Sequence, residues 1–176
     1  MNRPDWDQYF MTIAYLAASR STDQSTHVGA VIVTQDNAIV STGYNGPVRG
    51  EVYDTPQERP EKYLYIEHAE RNAIYNAARH GTKLDQCKLY VNFLPCADCA
   101  RAIVQSGITE VIAHTEGQQA FNSAAGGGDW DDSHKATMRI LGGEYNTWHN
   151  ERGILRWFSG ELWMPKGYFK QKEFDL

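Results

Sequence analysis

Residues 88–114 have the sequence KLYVNFLPCADCARAIVQSGITEVIAH. Residues 88–93 and Glu110–His114 are rich in apolar and β-branched side chains and predict two strands. Between them, Pro95 suits the first position of a helix, and Gly107 suits the position that ends one. A strand, a helix and a second strand in so short a stretch form a βαβ unit, whose two strands are parallel. The segment therefore predicts an α/β fold.

Upstream of this unit, the chain predicts a helix, a hairpin, a loop and a second helix. Residues 5–20 carry apolar side chains at helical spacing, which indicates an amphipathic helix. Residues 28–34 and 38–42 are β-branched runs and predict a hairpin. Residues 43–62 are polar and predict a long loop, and such loops often carry function. Residues 66–80 predict the second helix.

Downstream, the pattern is weaker. Residues 116–129 have no clear period and end in three consecutive glycines, so they predict a Gly-rich loop insertion. Residues 132–141 predict a further helix. The tail from about residue 148 is rich in aromatic side chains and remains without a predicted structure. Nothing in the sequence marks a domain boundary, so we expect residues 1–176 to form one domain.

The composition excludes several classes of protein. With 17 basic and 22 acidic residues the net charge is −5, so we do not expect a general polynucleotide binder. The apolar runs are far shorter than the ~20 residues of a membrane span, and the charged start does not resemble a signal peptide. The three cysteines include one Cys-x-x-Cys pair, which favours a metal or redox site over a secreted disulfide framework. We therefore expect a cytoplasmic protein.

Two short motifs carry groups suited to metal chemistry, His68-Ala-Glu70 and Pro95-Cys-Ala-Asp-Cys99. Cys96 and Cys99 are three residues apart at a helix start, so their sulfurs share a face, and the helix N-terminus stabilises the thiolate that binds metal. With one His68 nitrogen they make three zinc ligands, which leaves the fourth tetrahedral position to water. Glu70 would accept a proton from that water. We expect one catalytic Zn²⁺ per chain.

The spacing of His68 and Glu70 imposes a geometric condition. Residues two apart do not face each other on a regular helix. These two side chains can converge only if they bracket a bound water at an irregular helix start.

Three other interpretations of the motifs stay open at this point. Cys96 and Cys99 can form a thioredoxin-like redox pair, because a Cys-x-x-Cys near a βαβ unit is typical of that class. Alternatively, Cys87 can complete a closed Cys₃His structural zinc site, although a buried cysteine in a strand is the simpler interpretation. The motifs can also co-occur by chance. The other histidines, with no such pattern, are predicted to be surface or packing residues: His27, His80, His114, His134 and His149.

The chain resembles the deoxycytidylate deaminases of the cytidine deaminase superfamily. The resemblance is carried by HAERNAI at residues 68–74, LPCADCARAI at 94–103 and QSGITEV at 105–111. It is also carried by RST at 20–22, HVGAVIV at 27–33 and STGYNG at 41–46. H-x-E followed by P-C-x-x-C is a signature of zinc nucleobase deaminases. The resemblance runs from about residue 8 to residue 115 and weakly includes Trp130. It implies a three-layer α/β/α fold with a mixed sheet of about five strands and helices on both faces.

The resemblance also implies a reaction, in which dCMP and water give dUMP and ammonia, and dUMP supplies thymidylate synthesis. Glu70 would pass protons to the base N3 and to the departing ammonia. The Ala69 N–H would contact the base O2, the Leu94 carbonyl would contact the amino group, and Trp130 would pack against the base. Asn45 would bind the sugar hydroxyl.

Three neighbouring residues, Arg20, Ser21 and Thr22, are the candidates for the 5′-phosphate. One guanidinium and two hydroxyls suit a dianion.

The resemblance further implies a homo-oligomer, commonly a hexamer, in which residues 43–50 bind the regulators dCTP and dTTP. In this chain the proline of that loop, Pro47, stands one place earlier than in many relatives. Proline restricts its own φ and the residue before it, so the shift reshapes the loop. We expect oligomerisation to be retained and triphosphate control to be weakened or absent.

Two other classes of function compete with a mononucleotide deaminase. A deaminase of tRNA adenosine shares the zinc motifs, but the acidic chain has no Lys/Arg cluster for a polynucleotide. A non-catalytic zinc module is supported only by the aromatic tail. The sequence leaves the preferred nucleotide open among dCMP, CMP, dCTP and 5-substituted cytosines.

Overall fold

The computed structural model describes residues 3–50, 55–124, 130–142 and 153–163. The helices are α1 Trp6–Ala18, α2 Ala69–Arg79, α3 Ala97–Gln105, α4 Thr115–Ala124 and α5 Asp131–Leu141. The strands are β1 Gly29–Val33, β2 Ile39–Tyr44, β3 Gly46–Pro47, β4 Ile66–Glu67, β5 Lys88–Val91, β6 Glu110–His114 and β7 Leu155–Phe158. A single 3₁₀ turn, Glu61–Leu64, precedes β4. Within these described ranges no helix is long and apolar enough to cross a bilayer.

Five strands form one mixed sheet in the order β2-β1-β5-β6-β7. β1 pairs antiparallel with both β2 and β5, whereas β5, β6 and β7 are parallel. The predicted hairpin and the predicted parallel βαβ unit are therefore both confirmed. β3 and β4 form a separate two-stranded antiparallel sheet.

Helices cover both faces of the five-stranded sheet, because alternate residues of each strand point to opposite sides. On one face Val31 and Val33 of β1 pack with Phe10 and Met11 of α1. On the other face their neighbours on β1 pack with apolar residues of α2 and α3, in a second cluster that contains Ala30, Ile32, Ala73, Ala77, Ala100 and Ile103. The expected three-layer α/β/α fold with a five-stranded mixed sheet is confirmed.

A close approach of backbone to backbone sets where α2 begins. A Cβ on Gly43 of β2 would overlap the carbonyl oxygen of Ala69 and the N–H of Ala73. Only glycine lets the strand and the helix approach so closely. The first turn of α2 is therefore held directly against the sheet.

The structure corrects three predicted boundaries. The second helix begins at Ala69 rather than at residue 66, because Ile66–Glu67 pairs with Gly46–Pro47. Pro95 is not the first residue of α3, because Cys96 is its N-cap and the helix begins at Ala97.

The third correction concerns the segment predicted to be a loop. Most of residues 116–129 belong to α4, which ends at Ala124. Its Gly117 packs against the carbonyl oxygen of Asn92, and this tertiary contact has no counterpart in a local sequence pattern. Residues 125–129, which include the three glycines, lie outside the described residues.

Part of the aromatic tail completes the sheet. β7 lies parallel to β6, with Ile112 opposite Arg156 and Ala113 opposite Trp157. Residues 143–152 and 164–176 lie outside the described residues.

Candidate active site

His68 and Glu70 lie at the start of α2. His68 is the N-cap, with φ −78° and ψ 154°, so its backbone is extended rather than helical. Glu70 belongs to the first turn and is 3% exposed. His68 therefore lies just outside the regular part of the helix, and the convergence of its side chain with that of Glu70 around a bound water stays a prediction.

Cys96 and Cys99 occupy the start of α3, with Cys96 as its extended N-cap. The Sγ atoms of Cys96 and Cys99 lie 3.4 Å and 3.6 Å from Nδ1 of His68. Tetrahedral zinc with its usual bond lengths separates a nitrogen and a sulfur ligand by about 3.6 Å. The three donor atoms lie within 4.8 Å of one another and can hold a metal ion.

Cys87 does not join this group among the residues that the structure describes. It is 3% exposed and packs in the apolar cluster on the α2 and α3 face of the sheet. This placement disfavours the closed Cys₃His site. Cys87 is a small buried residue, as the simpler interpretation has it, but it lies directly before β5 rather than in the strand.

The two sulfurs of the group differ in proton affinity. A hydrogen bond from Cys99, opposed by burial and assisted by His68, lowers the pKa of Cys96 to about 4. The same contact with Cys96, together with burial, raises the pKa of Cys99 well above its ordinary value. One thiolate is therefore available at neutral pH, in the form that metals bind.

The carboxyl group of Glu70 is tuned by burial. Burial raises its pKa, although the charge of His68 opposes this effect. Burial lowers the pKa of His68, but the hydrogen bond with Cys96 and the charge of Glu70 outweigh it and raise that pKa. A carboxyl group with a raised pKa is suited to accept a proton and release it again near neutral pH.

A cavity opens beside this group. The cavity is lined by seven of the predicted site residues: Asn45, His68, Ala69, Glu70, Leu94, Cys96 and Trp130. Cys99 lies behind the lining and is fully buried.

The three residues predicted for the phosphate are not among the lining residues. Arg20 and Thr22 are exposed, and Ser21 accepts a hydrogen bond from the Asp23 N–H at 3.2 Å. Thr22 lies beside Gly46, which follows the lining residue Asn45. Their role in phosphate binding stays a prediction.

Sequence reasoning missed several polar residues that line the cavity, and the four with charged, amide or imidazole side chains are Arg59, Lys62, Gln118 and His134. His134 had been predicted to be a surface or packing residue. A local signal was present, because Trp130 and His134 are four residues apart at the start of α5 and share a face. No local signal marked the other three.

Aromatic rings form one wall of the cavity. The ring of Trp130 lies 5.7 Å from that of Tyr63 at 90° and 6.2 Å from that of His68. The ring of His134 stacks on Trp130 at 6.3 Å. Such a wall offers a flat apolar surface to a heterocyclic base.

A second wall of the cavity contains Lys62, which forms a buried ion pair with Asp23. Nζ of Lys62 donates to both carboxylate oxygens of Asp23, at 3.0 and 2.9 Å, and to Oγ of Ser25 at 2.6 Å. Lys62 and Asp23 are 3% and 4% exposed. Burial raises the pKa of Asp23, but the hydrogen bonds from Lys62 and Ser25 outweigh it and lower that pKa below its ordinary value. The pair ties the 3₁₀ turn to the loop after α1.

Asn45 is held by the backbone of the same loop. Its Oδ1 accepts from the Val28 N–H at 2.8 Å, and its Nδ2 donates to the Thr26 carbonyl at 2.9 Å. An amide has four hydrogen-bonding positions, so capacity remains for a ligand.

A mixed sheet of this order, with a His-Cys-Cys group between two helix starts, defines the cytidine deaminase-like class of zinc proteins. The family model described as "Cytidine and deoxycytidylate deaminase zinc-binding region" matches residues 4–115, and the chain belongs to this family. Its cofactor is zinc.

Relatives and solved structures agree with this membership. The chain is 44% identical over 115 residues to the deoxycytidylate deaminase of Homo sapiens, and the match covers 61% of this chain. The chain thus spans 64% of that relative's length. The dCMP deaminase of the cyanophage S-TIM5 in apo form is similar, with a TM-score of 0.56, 26% identity and coverage of 70% of this chain and 94% of that one. The same phage enzyme in complex with dCMP and dUMP shares the fold, with a TM-score of 0.64, 20% identity and coverage of 90% and 100%.

Proposed function

We propose that the chain catalyses the hydrolytic deamination of dCMP to dUMP and ammonia. The observation that carries the proposal is the buried Glu70 carboxyl group beside His68, Cys96 and Cys99, at the cavity that most of the predicted site residues line. The human relative is named a deoxycytidylate deaminase, which supports dCMP as the substrate.

His68, Cys96 and Cys99 would hold the zinc ion, since their donor atoms have the spacing that a tetrahedral site needs. When bound, zinc lowers the pKa of a water and so supplies a nucleophile at neutral pH.

Glu70 moves the protons. It accepts one proton from the attacking water and delivers it to N3, and it then accepts the proton of the new hydroxyl group at C4 and delivers it to the amino group. The C4–O bond forms, the C4–N bond breaks, and the nitrogen leaves as ammonia. The raised pKa of Glu70, caused by burial, supports this exchange of protons.

Backbone groups at the two helix starts orient the base. Ala69 is the first residue of α2, so its N–H has no partner within the helix and can donate to the base O2. The Leu94 carbonyl accepts from the amino group, and Trp130 packs against the ring. Asn45, held by Val28 and Thr26, binds the sugar hydroxyl.

A cation is required for the 5′-phosphate. Burial lowers the pKa of His134, which therefore does not supply the charge. The Nζ of Lys62 already donates three hydrogen bonds to Asp23 and Ser25. Arg59 of the cavity lining joins Arg20, with Ser21 and Thr22, as a candidate.

The test is ammonia release from a panel of cytosine and adenine nucleotides, with Glu70→Gln as the critical variant. We expect release from dCMP, and we expect Glu70→Gln to keep one zinc per chain while turnover falls by about 10²–10⁴-fold. Glu67→Gln, at a partly buried carboxylate just outside the helix, is the matched control. Near-normal turnover in Glu70→Gln would contradict the mechanism.

We also propose the context of the reaction. The three cysteines are free thiols, which fits the cytoplasm. Strands from β1 near the start of the chain to β7 near its end join one five-stranded sheet, which supports a single domain. Exposed apolar side chains support assembly with further copies of the chain: Val48 lies within residues 43–50 and is 48% exposed, and Leu64 lies beside this segment and is 82% exposed. A hexamer with weakened or absent control by dCTP and dTTP stays a prediction.

A further inference from the structure

Gln118 of α4 is a buried polar residue that the proposed mechanism does not use. It is 8% exposed and lines the cavity. Its Oε1 accepts from the Leu94 N–H at 2.8 Å. Because a backbone N–H can only donate, the atom of Gln118 that faces it must be the oxygen. Its Nε2 donates to Oδ1 of Asn122, one turn later on α4, at 2.8 Å, so the amide is held at both ends.

The contact lies on the turn that joins β5 to α3. Helix α5 supports this turn further along, where Thr137 donates to the Pro95 carbonyl at 2.8 Å and Ser133 accepts from the Ala97 N–H at 2.9 Å. Helix α4 supplies the support at Leu94. The match to the family model ends at residue 115, where α4 begins, so this support comes from residues that follow the matched segment.

Two constraints together determine the direction of the Leu94 carbonyl. Gln118 holds the peptide plane that precedes Leu94. Pro95 follows, and a residue before proline is restricted to extended conformations. With both constraints in place, the carbonyl oxygen has little freedom to turn.

We propose that Gln118 is a positioning residue that holds the Leu94 carbonyl toward the 4-position of the base and so separates substrate from product. The proposal rests on the proposed function. A carbonyl oxygen accepts a hydrogen bond from the 4-amino group of dCMP and is repelled by the 4-oxygen of dUMP. A carbonyl that is free to turn loses this discrimination.

The critical variant is Gln118→Met, which keeps the shape of the side chain and removes the acceptor. The zinc content should stay at one per chain, and hydrogen exchange at the Leu94 amide should become faster. The ratio of the dUMP inhibition constant to the dCMP KM should fall by about 2- to 13-fold, the factor that one neutral hydrogen bond supports. Gln119→Met, at the exposed neighbouring position, is the control and should change neither the exchange rate at the Leu94 amide nor this ratio.

Two further variants keep the test decisive. Gln118→Glu retains an acceptor for the Leu94 N–H, so the exchange rate and the ratio should stay closer to those of the unmodified chain. If Gln118→Met does not fold, Asn122→Ala releases only the far end of the amide and should shift the ratio in the same direction by a smaller factor.

An unchanged ratio in folded Gln118→Met, with or without faster exchange at Leu94, would overturn the proposal. If the unmodified chain releases no ammonia from dCMP, the proposed function fails on its own. Calorimetric binding of dCMP and dUMP then measures the same discrimination without turnover.

Discussion

The metal group and the walls of the cavity are positioned by different kinds of contact. His68 and Cys96 are the N-cap residues of α2 and α3, and each helix start places its own ligand. The walls depend on contacts between distant parts of the chain. Lys62 bonds Asp23 across 39 positions, and Leu94 bonds Gln118 across 24.

The chemistry of the site and its choice of substrate therefore depend on different parts of the chain. A helix start needs only a few consecutive residues, so the chemistry of the site is contained in two short motifs. The walls decide which molecule meets that chemistry, and they need the whole sheet to bring their residues together. Substitutions in the motifs should abolish the reaction, whereas substitutions in the walls should alter stability or substrate choice.

The largest effect is expected from Cys96→Ala. The variant should lose both zinc and turnover, because a histidine and one thiolate do not make a three-ligand site. Cys87→Ala is the control, since Cys87 is also a buried free cysteine but packs in the apolar cluster. It should keep zinc and activity and lose only some stability. Metal analysis measures the zinc content of both variants, and ammonia release measures their turnover. A full equivalent of zinc in Cys96→Ala would show that Cys96 is wrongly assigned as a zinc ligand.

The second largest effect is expected on stability, from removal of the buried ion pair between Lys62 and Asp23. Lys62→Met should lower the free energy of unfolding at pH 7 by roughly 3–5 kcal/mol, because the Asp23 carboxylate would be buried without its cation. The folded-state pKa of Asp23 is lowered, so its contribution is present above its ordinary pKa and is lost as the pH falls through the folded value. The difference in the free energy of unfolding between Lys62→Met and the unmodified chain should therefore become smaller at acidic pH.

Denaturant unfolding at several pH values measures this prediction. Lys135→Met removes an exposed ion pair with Asp131 and should change stability little at any pH. Restoring neutrality with Asp23→Asn in the Lys62→Met background should recover part of the loss. A pH-independent difference would show that Lys62 acts through packing rather than through charge.

The smallest effect separates the two phosphate candidates. We expect Arg59→Ala to reduce the preference for dCMP over deoxycytidine by about 10- to 150-fold, the value of one charge-assisted contact. Arg59 lines the cavity and Arg20 does not, so Arg20→Ala should have the smaller effect. The ratio of kcat/KM for nucleotide and nucleoside measures both variants. The reverse order would restore Arg20 with Ser21 and Thr22 as the phosphate site.

Much of the fold was predictable because the signals are local. Helix α1 has a capping box formed by Asp5 and Gln8, and its apolar residues repeat at helical spacing. The β-branched runs of β1 and β2 flank a short turn. The ligand group was predictable for the same reason, since each motif coincides with one helix start.

Other elements could not be predicted because distant contacts create them. Ile66 and Glu67 continue a helical pattern in sequence, yet they pair with β3 as a short strand. β7 becomes a strand only because the edge of β6 is available to it. α4 lacks a clear period and is stabilised by packing of Gly117 against Asn92 and by the Gln118 contact.

The sequence by itself determined the class of chemistry, because His68, Glu70, Cys96 and Cys99 act through the geometry of their own helix starts. Only the tertiary structure decided which side chains surround that chemistry. Lys62, Gln118 and His134 come from a turn and two helices that local propensity does not bring together. They meet because tertiary packing brings these elements to one cavity, where the buried polar groups of Lys62 and Gln118 find hydrogen-bond partners.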